Sequence, residues 1–551
     1  MKQFVLALSL LSLVACSGNQ LAVRGKARDQ LINLQYAEAE KSLQDPKVLS
    51  ESKNRLLTLL ELGIVAHYSG NFEKSNLFFF KAKDTYRELY TASVREAIAS
   101  GVFNDTSTSY TGMEYEISLL HYYIVKNFIE LSEASSTPAW QEAPLNGTDG
   151  KPVLPELAGA AKVLNARDKQ DYSLKARAEL LDWNSFLGEV RENNHGEPYY
   201  KDDLLNKVFA GFVHRMVGTN QDLGIATALN KDANDVLVRA YAAYPSFNES
   251  SAAYVENYKK FPDIGVDTVK QKFIQATALY KSTEAAIQAA AKKNSNTMIL
   301  VEYSEVPKRV EKKYVIGLST LFGQIKDPQL RRQVEQIGMQ TILNLAPAFG
   351  LTAVAATVVG AVTDQGRPQY MSQAIDSAIG FEFKLPKIES YPATESMQLR
   401  LHPASGADIL LPIALMDPVA DISALNVERR ANAIATKTGI RVGMKYLAAL
   451  IPAILMYKKL EGSPDFVRML AASAVWMAGK KVVDATEEAD LRSWDFLPRW
   501  IGSVETKLAP GNYGMSLIAP DKEIPVGSLA IDSSLSVHPF RVFSTGKVAY
   551  P

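Results

Sequence analysis

Apolar and polar residues recur with two different periods along the chain. From Arg24 to about Ser135, and again from about Asp171 to Ala291, apolar residues follow a helical spacing. Beyond Asn294 the spacing becomes typical of strands, first at Thr297–Tyr303. Further strand-like runs begin at Phe381, Met397, Asp408, Ser503 and Tyr513, and residues 420–450 return to a helical pattern. The pattern predicts an α+β fold that is mainly α, with a helical N-terminal half and a mixed C-terminal half containing a small sheet.

Two stretches of the helical half resemble tetratricopeptide repeats. In the first, Gly63 and Gly70 stand where paired helices need small residues, and Phe79 and Ala82 are placed to pack the second helix. The same seven-residue glycine spacing recurs at Gly211 and Gly218. We therefore expect helical-repeat regions at 16–134 and 164–294, although any helical hairpin with a glycine turn imitates one repeat. Proline, glycine, alanine and serine are dense at 135–163, which indicates a loop or insertion between them.

The C-terminal region, 295–551, is expected to be an α+β domain with apolar helices. Residues 342–362 carry no charge over 21 positions, enough to cross a membrane, but small residues, Asn344 and Pro347 favour a buried helical hairpin over a membrane-inserted one. The shorter apolar runs Tyr446–Tyr457 and Met469–Gly479 are predicted to be core helices. The alternative is that the three stretches form an interfacial patch against a membrane.

The N-terminus predicts where in the cell the protein is located. Lys2 precedes an apolar run, Phe4–Val14, which is too short to span a bilayer and is typical of a cleaved signal peptide, residues 1–15. The run closes on LVAC, a bacterial lipobox that makes Cys16 the site of diacylglycerol and palmitate attachment. The alternative is an ordinary signal peptide with an incidental cysteine. Ser17, and not aspartate, follows Cys16. By resemblance to other Gram-negative lipoproteins, this implies a lipoprotein anchored in the outer membrane and facing the periplasm.

Charge and composition exclude several classes of protein. The chain has 551 residues, 47% of them hydrophobic, with 60 basic and 60 acidic side chains. It therefore lacks the positive field of a nucleic-acid-binding protein. Cys16 is the only cysteine, which leaves no thiolate metal site or disulfide. No phosphate-binding, serine-hydrolase or zinc-protease motif is present, so we expect no enzyme, no catalytic residue, no cofactor and no metal.

Three of the histidines are candidate metal ligands by residue type. His67 and His214 stand between the paired glycines of the repeats, where a packed side chain is the more common role. His195 lies in a polar loop but has no second ligand at a useful spacing.

A dense polar and aromatic cluster near the C-terminus is a candidate recognition site. Asp490, Arg492 and Trp494 stand at alternate positions ahead of Pro498. They form either a charged corner that binds a partner or a helix-to-strand junction in which the arginine pairs with a carboxylate and the tryptophan fills the core.

Two sets of residues carry a resemblance to a protein family. The first set is Asn104, Asp105, Tyr110, Gly112 and Glu116, and the second is Asp490, Arg492, Trp494, Pro498, Gly511 and Tyr513. Together they resemble the signature of an uncharacterised family of tetratricopeptide-type envelope lipoproteins. The resemblance is discontinuous, from about residue 20 to 520, and the 135–156 insertion departs from a continuous repeat. It implies an outer-membrane lipoprotein without known catalytic residues, in which these positions are structural.

The sequence favours a lipid-anchored scaffold whose helical repeats bind envelope proteins. An alternative is an envelope carrier that binds lipid or another hydrophobic ligand in the α+β half. A third alternative is an envelope hydrolase with an unrecognised site. The identity of the partner, the pathway and the oligomeric state do not follow from the sequence.

Overall fold

The computed structural model describes residues 17–45, 48, 52–89, 109–146, 152–154, 156–193, 200, 202–247, 278–292, 294–317, 380–486 and 488–550. Helices make up the N-terminal half, and strands with two further helices make up the C-terminal half, so the predicted α+β, mainly α class is confirmed. Four predicted features lie outside the described residues, namely Cys16, the pair Asn104 and Asp105, His195 and the apolar stretch 342–362.

The helices of the N-terminal half form a consecutive array in which each packs against the next. Two short 3₁₀ turns, Ser52–Asn54 and Tyr241–Ala243, also belong to this half. The helices are α1 Ser17–Ile32, α2 Tyr36–Leu43, α3 Arg55–Tyr68, α4 Phe72–Leu89, α5 Glu114–Glu133, α6 Ala166–Asn193, α7 Leu204–Val217, α8 Asn220–Arg239 and α9 Ala278–Ala291.

Helices α3 and α4 pair closely because of the glycine predicted for that purpose. A Cβ atom built on Gly63 would overlap the ring of Phe79, so only glycine lets the ring lie against the α3 backbone. The Ser75 hydroxyl donates to the Gly63 carbonyl at 2.7 Å, and Ala82 is fully buried. Gly70 has φ +77° in the turn, a conformation that glycine adopts without strain. Both glycines thus have the roles expected of a helical hairpin.

Helices α7 and α8 repeat this arrangement. A Cβ atom on Gly211 would lie 2.8 Å from Asn230 Oδ1 on α8. Gly218 ends α7 with φ +76°, and Thr219 caps α8 by accepting from the Asp222 backbone N–H at 3.1 Å. The two glycine pairs therefore mark two helical hairpins.

The segment predicted as a loop between these hairpins is an interrupted β-hairpin. Its strands pair antiparallel in nested order, β1 with β6, β2 with β5 and β3 with β4. A Cβ atom on Gly159 would overlap the Trp140 indole across the β2–β5 pair, which explains the glycine there. Lys74 Nζ holds Glu142 at 2.8 Å and so docks the hairpin on α4. The strands are β1 Ser136–Thr137, β2 Trp140–Glu142, β3 Leu145–Asn146, β4 Pro152–Leu154, β5 Leu157–Gly159 and β6 Lys162–Val163.

The C-terminal half contains two sheets where one small sheet was expected. A five-stranded sheet has the order β12-β13-β7-β16-β17, in which β7 and β16 are parallel and the other neighbours antiparallel. A four-stranded antiparallel sheet has the order β11-β10-β14-β15. The strands are β7 Thr297–Tyr303, β8 Arg309–Gly317, β9 Gly380–Ile388, β10 Gln398–Pro403, β11 Ile409–Pro412, β12 Ala414–Asp417, β13 Trp500–Thr506, β14 Gly511–Ile518, β15 Glu523–Ile531, β16 Ser536–Val542 and β17 Val548–Ala549.

A long helical hairpin and a two-stranded ribbon accompany the sheets. Helices α10, Val419–Lys459, and α11, Asp465–Thr486, pack against each other, and α10 also packs on the β8–β9 ribbon. The prediction that Met469–Gly479 is a core helix is wrong for one of its faces, because Leu470 is 60% and Met477 51% exposed. No helix in the described part of the chain is long and apolar enough to cross a membrane.

One hydrophobic core runs through both halves. It extends without a break from Ala27 on α1 to Ala549 on β17, across the predicted domain boundary at residue 295. The helical half and the sheets are therefore packed on each other and not joined only by a linker.

Replacing Gly63 by alanine should destabilise the fold by about 1–3 kcal/mol, because the new methyl group displaces the Phe79 ring. Chemical denaturation followed by circular dichroism measures the change. The matched control is Gly188→Ala on α6, where a Cβ meets nothing within 4 Å and the helix gains about 0.5–1 kcal/mol. The double variant Gly63→Ala, Phe79→Leu should recover part of the loss. Equal effects of the two glycine substitutions would contradict the packing argument.

Candidate functional site

Helix α5 is the central element of the molecule. Every side chain from Tyr115 to Ile129 is buried, so no side of this stretch of the helix faces water. A helix that is buried on all sides is surrounded by protein. The polar residues that it does carry therefore need partners inside the core, and these partners come from both halves of the chain.

Glu116, one of the family-signature residues, accepts hydrogen bonds from three directions at the start of α5. Its Oε2 accepts from the Tyr110 hydroxyl at 2.5 Å and from the Met113 backbone N–H at 2.6 Å. Its Oε1 accepts from the Trp494 backbone N–H at 3.0 Å. Arg309 Nη2 lies 3.9 Å from Oε1 and supplies a counter-charge. Two signature segments that are almost 400 residues apart in sequence thus meet at one buried carboxylate.

The candidate recognition residues lie beside this junction and make their contacts within the chain. Arg492 donates through Nε and Nη2 to the two Asp490 carboxylate oxygens, at 2.8 and 2.7 Å. Its Nη1 donates to Asn54 Oδ1 at 3.1 Å, which ties the segment to the helical half. Trp494 is only 1% exposed and packs edge-on against Phe79. This geometry corresponds to the helix-to-strand junction that the sequence left open as an alternative.

The other described signature residues shape turns and strand ends. Gly112 has φ +72° immediately before α5, and a Cβ there would press on Ile117 Cδ1 at 3.3 Å. Pro498 is buried, Gly511 opens β14, and the Tyr513 hydroxyl donates to the Ala509 carbonyl at 2.8 Å. None of these contacts offers a reactive group.

A second buried junction, which the sequence did not predict, surrounds Glu302 on β7. Glu302 is fully buried and accepts from the Tyr122 and Tyr123 hydroxyls at 3.0 and 2.9 Å. It also pairs with Lys126 and accepts from the Tyr68 hydroxyl. The signals were present, since a glutamate interrupts the apolar run TMILVEY and a lysine interrupts the apolar helix α5. Only the tertiary structure shows that the two interruptions meet.

Arg541 on β16 completes this junction. Its Nη1 donates to the Phe496 carbonyl at 2.7 Å, and its Nη2 donates to the Ser304 and Leu497 carbonyls at 3.0 Å. Burial alone would raise the pKa of Glu302, but Lys126 and Arg541 outweigh burial and lower this pKa to about 2. The carboxylate therefore stays charged at every physiological pH.

His67 on α3 borders the same junction and is held neutral. Its Nδ1 lies 2.6 Å from Asn127 Oδ1, and burial together with the nearby Lys126 charge lowers its pKa to about 3. The packed role that the sequence favoured for His67 agrees with this geometry.

One cluster has the composition of a metal site. The ligand atoms of His121, Glu179 and Asp182 all lie within 4.8 Å of one another. Lys83 Nζ, however, donates to Glu179 Oε2 at 2.7 Å and to Asp182 Oδ2 at 2.8 Å. Burial raises the pKa of Glu179, but His121 and Lys83 outweigh it and lower this pKa. The lysine ammonium thus supplies the positive charge that a cation would otherwise bring.

Two further groups of side chains contain residue types that are common in catalytic sites, but both groups are buried. His214 Nδ1 is 2.8 Å from Asp222 Oδ1, and Arg177 Nε donates to the same oxygen at 2.7 Å. Asp203 and Asp417 are 0% and 2% exposed, and burial raises the pKa of both. At these exposures a substrate has no access to either grouping in this structure.

The helical half also presents an exposed apolar surface. On α6, Leu174, Ala178 and Leu181 follow the spacing of one helical face, and the two leucines are 50% and 42% exposed. Arg177 on the same helix donates to Asp222 on α8, and the residue after Asp222, Leu223, is 39% exposed. We call Leu174, Ala178 and Leu181 the α6 surface.

Comparison of the chain with known family models, with curated proteins and with solved structures gives no significant match. The resemblance to envelope lipoproteins therefore stays a prediction from the quoted residues.

Replacing Glu116 by glutamine should destabilise the protein by about 3 kcal/mol, because the substitution removes a buried carboxylate that faces Arg309. Urea denaturation measures the loss. The control is Glu114→Gln, two residues earlier, whose ion pair with Arg430 lies at the surface and should cost at most about 1 kcal/mol. A loss at Glu116 no greater than that at Glu114 would refute the role of this junction.

The free energy of unfolding should fall by about 2 kcal/mol between pH 7 and pH 5 because of His67 alone. In the unfolded chain this histidine takes up a proton below its ordinary pKa of 6.5, whereas the folded protein keeps it neutral down to about pH 3. Acid therefore favours the unfolded state. Denaturation curves of wild type and His67→Gln at both pH values should show a smaller pH dependence for the variant. His402→Gln, at the surface, is the control, and an unchanged pH dependence in His67→Gln would contradict the assignment.

Proposed function

We propose that the protein is a non-enzymatic, lipid-anchored scaffold of the bacterial outer membrane that faces the periplasm and binds envelope proteins through its N-terminal helices. The lipobox at Cys16 supports the anchor. The resemblance to envelope lipoproteins supports the compartment.

The observation that carries the binding role is the α6 surface. Soluble proteins expose single apolar residues commonly, whereas two large leucines exposed on one helical face support an interaction site. A partner helix with apolar residues at positions i, i+4 and i+7 would pack its side chains between Leu174 and Leu181.

The contacts that hold α6 against its neighbouring helices also support the proposal. Trp183, two residues after Leu181, is fully buried and donates through Nε1 to the Ser118 hydroxyl on α5 at 2.6 Å. Arg177 connects α6 to α8, and Glu179 binds Lys83 on α4. Because contacts with three neighbouring helices hold α6 in place, its exposed side is preorganised for binding.

Side chains of types common in catalytic sites make structural contacts here, which supports a non-enzymatic role. Lys83 neutralises Glu179 and Asp182, and Arg177 and Thr219 bind Asp222 beside His214. Each of these groups contributes to packing between helices, which a scaffold requires.

A photo-crosslinking amino acid at position 181 of the anchored protein should give one reproducible covalent adduct with an envelope protein in intact cells. Leu174→Glu should reduce this adduct at least about tenfold, because the substitution places a charge in the apolar contact. The control is the same crosslinker at Leu410 on β11, which is 50% exposed and belongs to the C-terminal half. The proposal fails if both positions give the same adducts or if neither gives one.

A further inference from the structure

The α10–α11 hairpin carries apolar side chains on its outer face. On α11, Val467, Leu470 and Met477 are 45%, 60% and 51% exposed, and their spacing places them on one side of the helix. Val482, 59% exposed, lies toward the end of α11 and outside this side of the helix. On α10, Leu455 is 60% exposed. Val467, Leu470 and Met477 are called the hairpin face.

The inner side of the hairpin is packed, so its outer apolar residues are not part of that contact. Ala472 is 1% exposed, and Trp476 lies with its ring centroid 6.3 Å from that of Tyr446 on α10. Lys480 Nζ lies 5.7 Å from the centroid of the Tyr446 ring. Helix α11 is therefore apolar on two opposite sides, one facing α10 and one facing outward.

Positive charge is concentrated on the same hairpin. The whole chain has a net charge of zero, but the hairpin and its turn, residues 419–486, contain ten basic and five acidic residues. The acidic residues are Asp421, Glu428, Glu461, Asp465 and Asp484, and the basic residues are Arg429, Arg430, Lys437, Arg441, Lys445, Lys458, Lys459, Arg468, Lys480 and Lys481. Lys459 and Lys481 are exposed next to Leu455 and Met477, respectively. Exposed apolar residues flanked by lysines match an anionic lipid surface, which offers both acyl chains and phosphate.

The start of the described chain is bonded to the segment that follows this hairpin. Asn54 Nδ2 donates to Gln20 Oε1 at 2.9 Å, and Arg492 Nη1 donates to Asn54 Oδ1 at 3.1 Å. Arg492 follows the last residue of α11, Thr486, by six positions. Cys16 precedes Gln20 by four residues, a stretch that spans at most about 14 Å. A lipid on Cys16 would therefore hold the segment around Arg492, which follows α11, near the bilayer.

We propose that the hairpin face binds the surface of an anionic lipid bilayer, with its apolar residues among the acyl chains near the headgroups and its lysines at the phosphates. This contact is separate from the protein-binding role of the α6 surface. It gives the protein a second attachment to the membrane, which fixes the orientation of a body that a flexible lipid anchor alone would leave free to rotate.

The test uses the mature chain, residues 16–551, with Cys16→Ser so that no acyl chain contributes to binding. Co-sedimentation is measured with vesicles of phosphatidylcholine alone and with vesicles of three parts phosphatidylcholine to one part phosphatidylglycerol. We expect binding to the mixed vesicles at least about tenfold stronger than to the neutral ones, and weakened by salt.

Two sets of variants assign the binding to the hairpin. Leu470→Glu, Met477→Glu should reduce binding at least about tenfold, whereas Leu174→Glu, Leu181→Glu on the α6 surface, with the same change in charge, should leave it unchanged. Lys459→Gln, Lys481→Gln should reduce binding to the mixed vesicles severalfold, and Lys231→Gln, Lys522→Gln, at other exposed lysines, should not. Circular dichroism establishes that each variant is folded, and the lysine variants keep the test informative if the glutamate variants do not fold.

Three outcomes would overturn the inference. The first is no binding to mixed vesicles, and the second is binding that the hairpin and control variants reduce equally. The third is a lower unfolding temperature in both hairpin variants with unchanged vesicle binding, which would mean that another protein segment covers the hairpin face. None of these outcomes changes the crosslinking expected at position 181, so the two proposals fail separately.

Discussion

The buried charge of Glu302 is the constraint on which the arrangement of the two halves depends. A carboxylate without exposure to water is costly unless it is paired and hydrogen-bonded. Glu302 obtains its partners from three elements, namely Tyr68 on α3, Lys126 on α5 and the charge of Arg541 on β16. Without Lys126 or Arg541 less positive charge would offset the buried carboxylate, and without Tyr68 it would lose a hydrogen-bond donor. The helices and the five-stranded sheet are therefore bound to a single relative position, which apolar packing alone would specify less strictly.

Helix α5 also connects the Glu302 junction to the junction at Glu116. Glu116 in its first turn and Lys126 past its middle lie about three turns apart, and each binds an element of the C-terminal half. Helix α6 packs against α5, so the position of α6 relative to the five-stranded sheet depends on both junctions.

The sequence predicted local structure well and tertiary relationships poorly. The strand Thr297–Tyr303 and the glycine-marked hairpins at Gly63 and Gly211 were predicted because period and turn residues are local signals. The parallel pairing of β7 with β16 and the junction at Glu302 were not predicted, since they join residues more than 170 positions apart. The prolines and glycines of 135–163 predict a loop, and they give no signal for the short paired strands that form there. The apolar composition of α11 predicts a core helix, because composition alone does not distinguish a buried face from an exposed one.

The position of β16 near the end of the chain has a consequence for how the protein is made. Arg541 and β16 complete the junction whose other members, Tyr68 and Lys126, belong to the first quarter of the sequence. At about 5–20 residues per second, roughly 20–80 seconds of translation separate Lys126 from Arg541. During that interval Lys126 gains its partner Glu302 when β7 is made, but the bonds of Arg541 to the Phe496, Ser304 and Leu497 carbonyls are still missing. The complete junction, and with it the native arrangement of the helices on the five-stranded sheet, forms only after β16 has been synthesised.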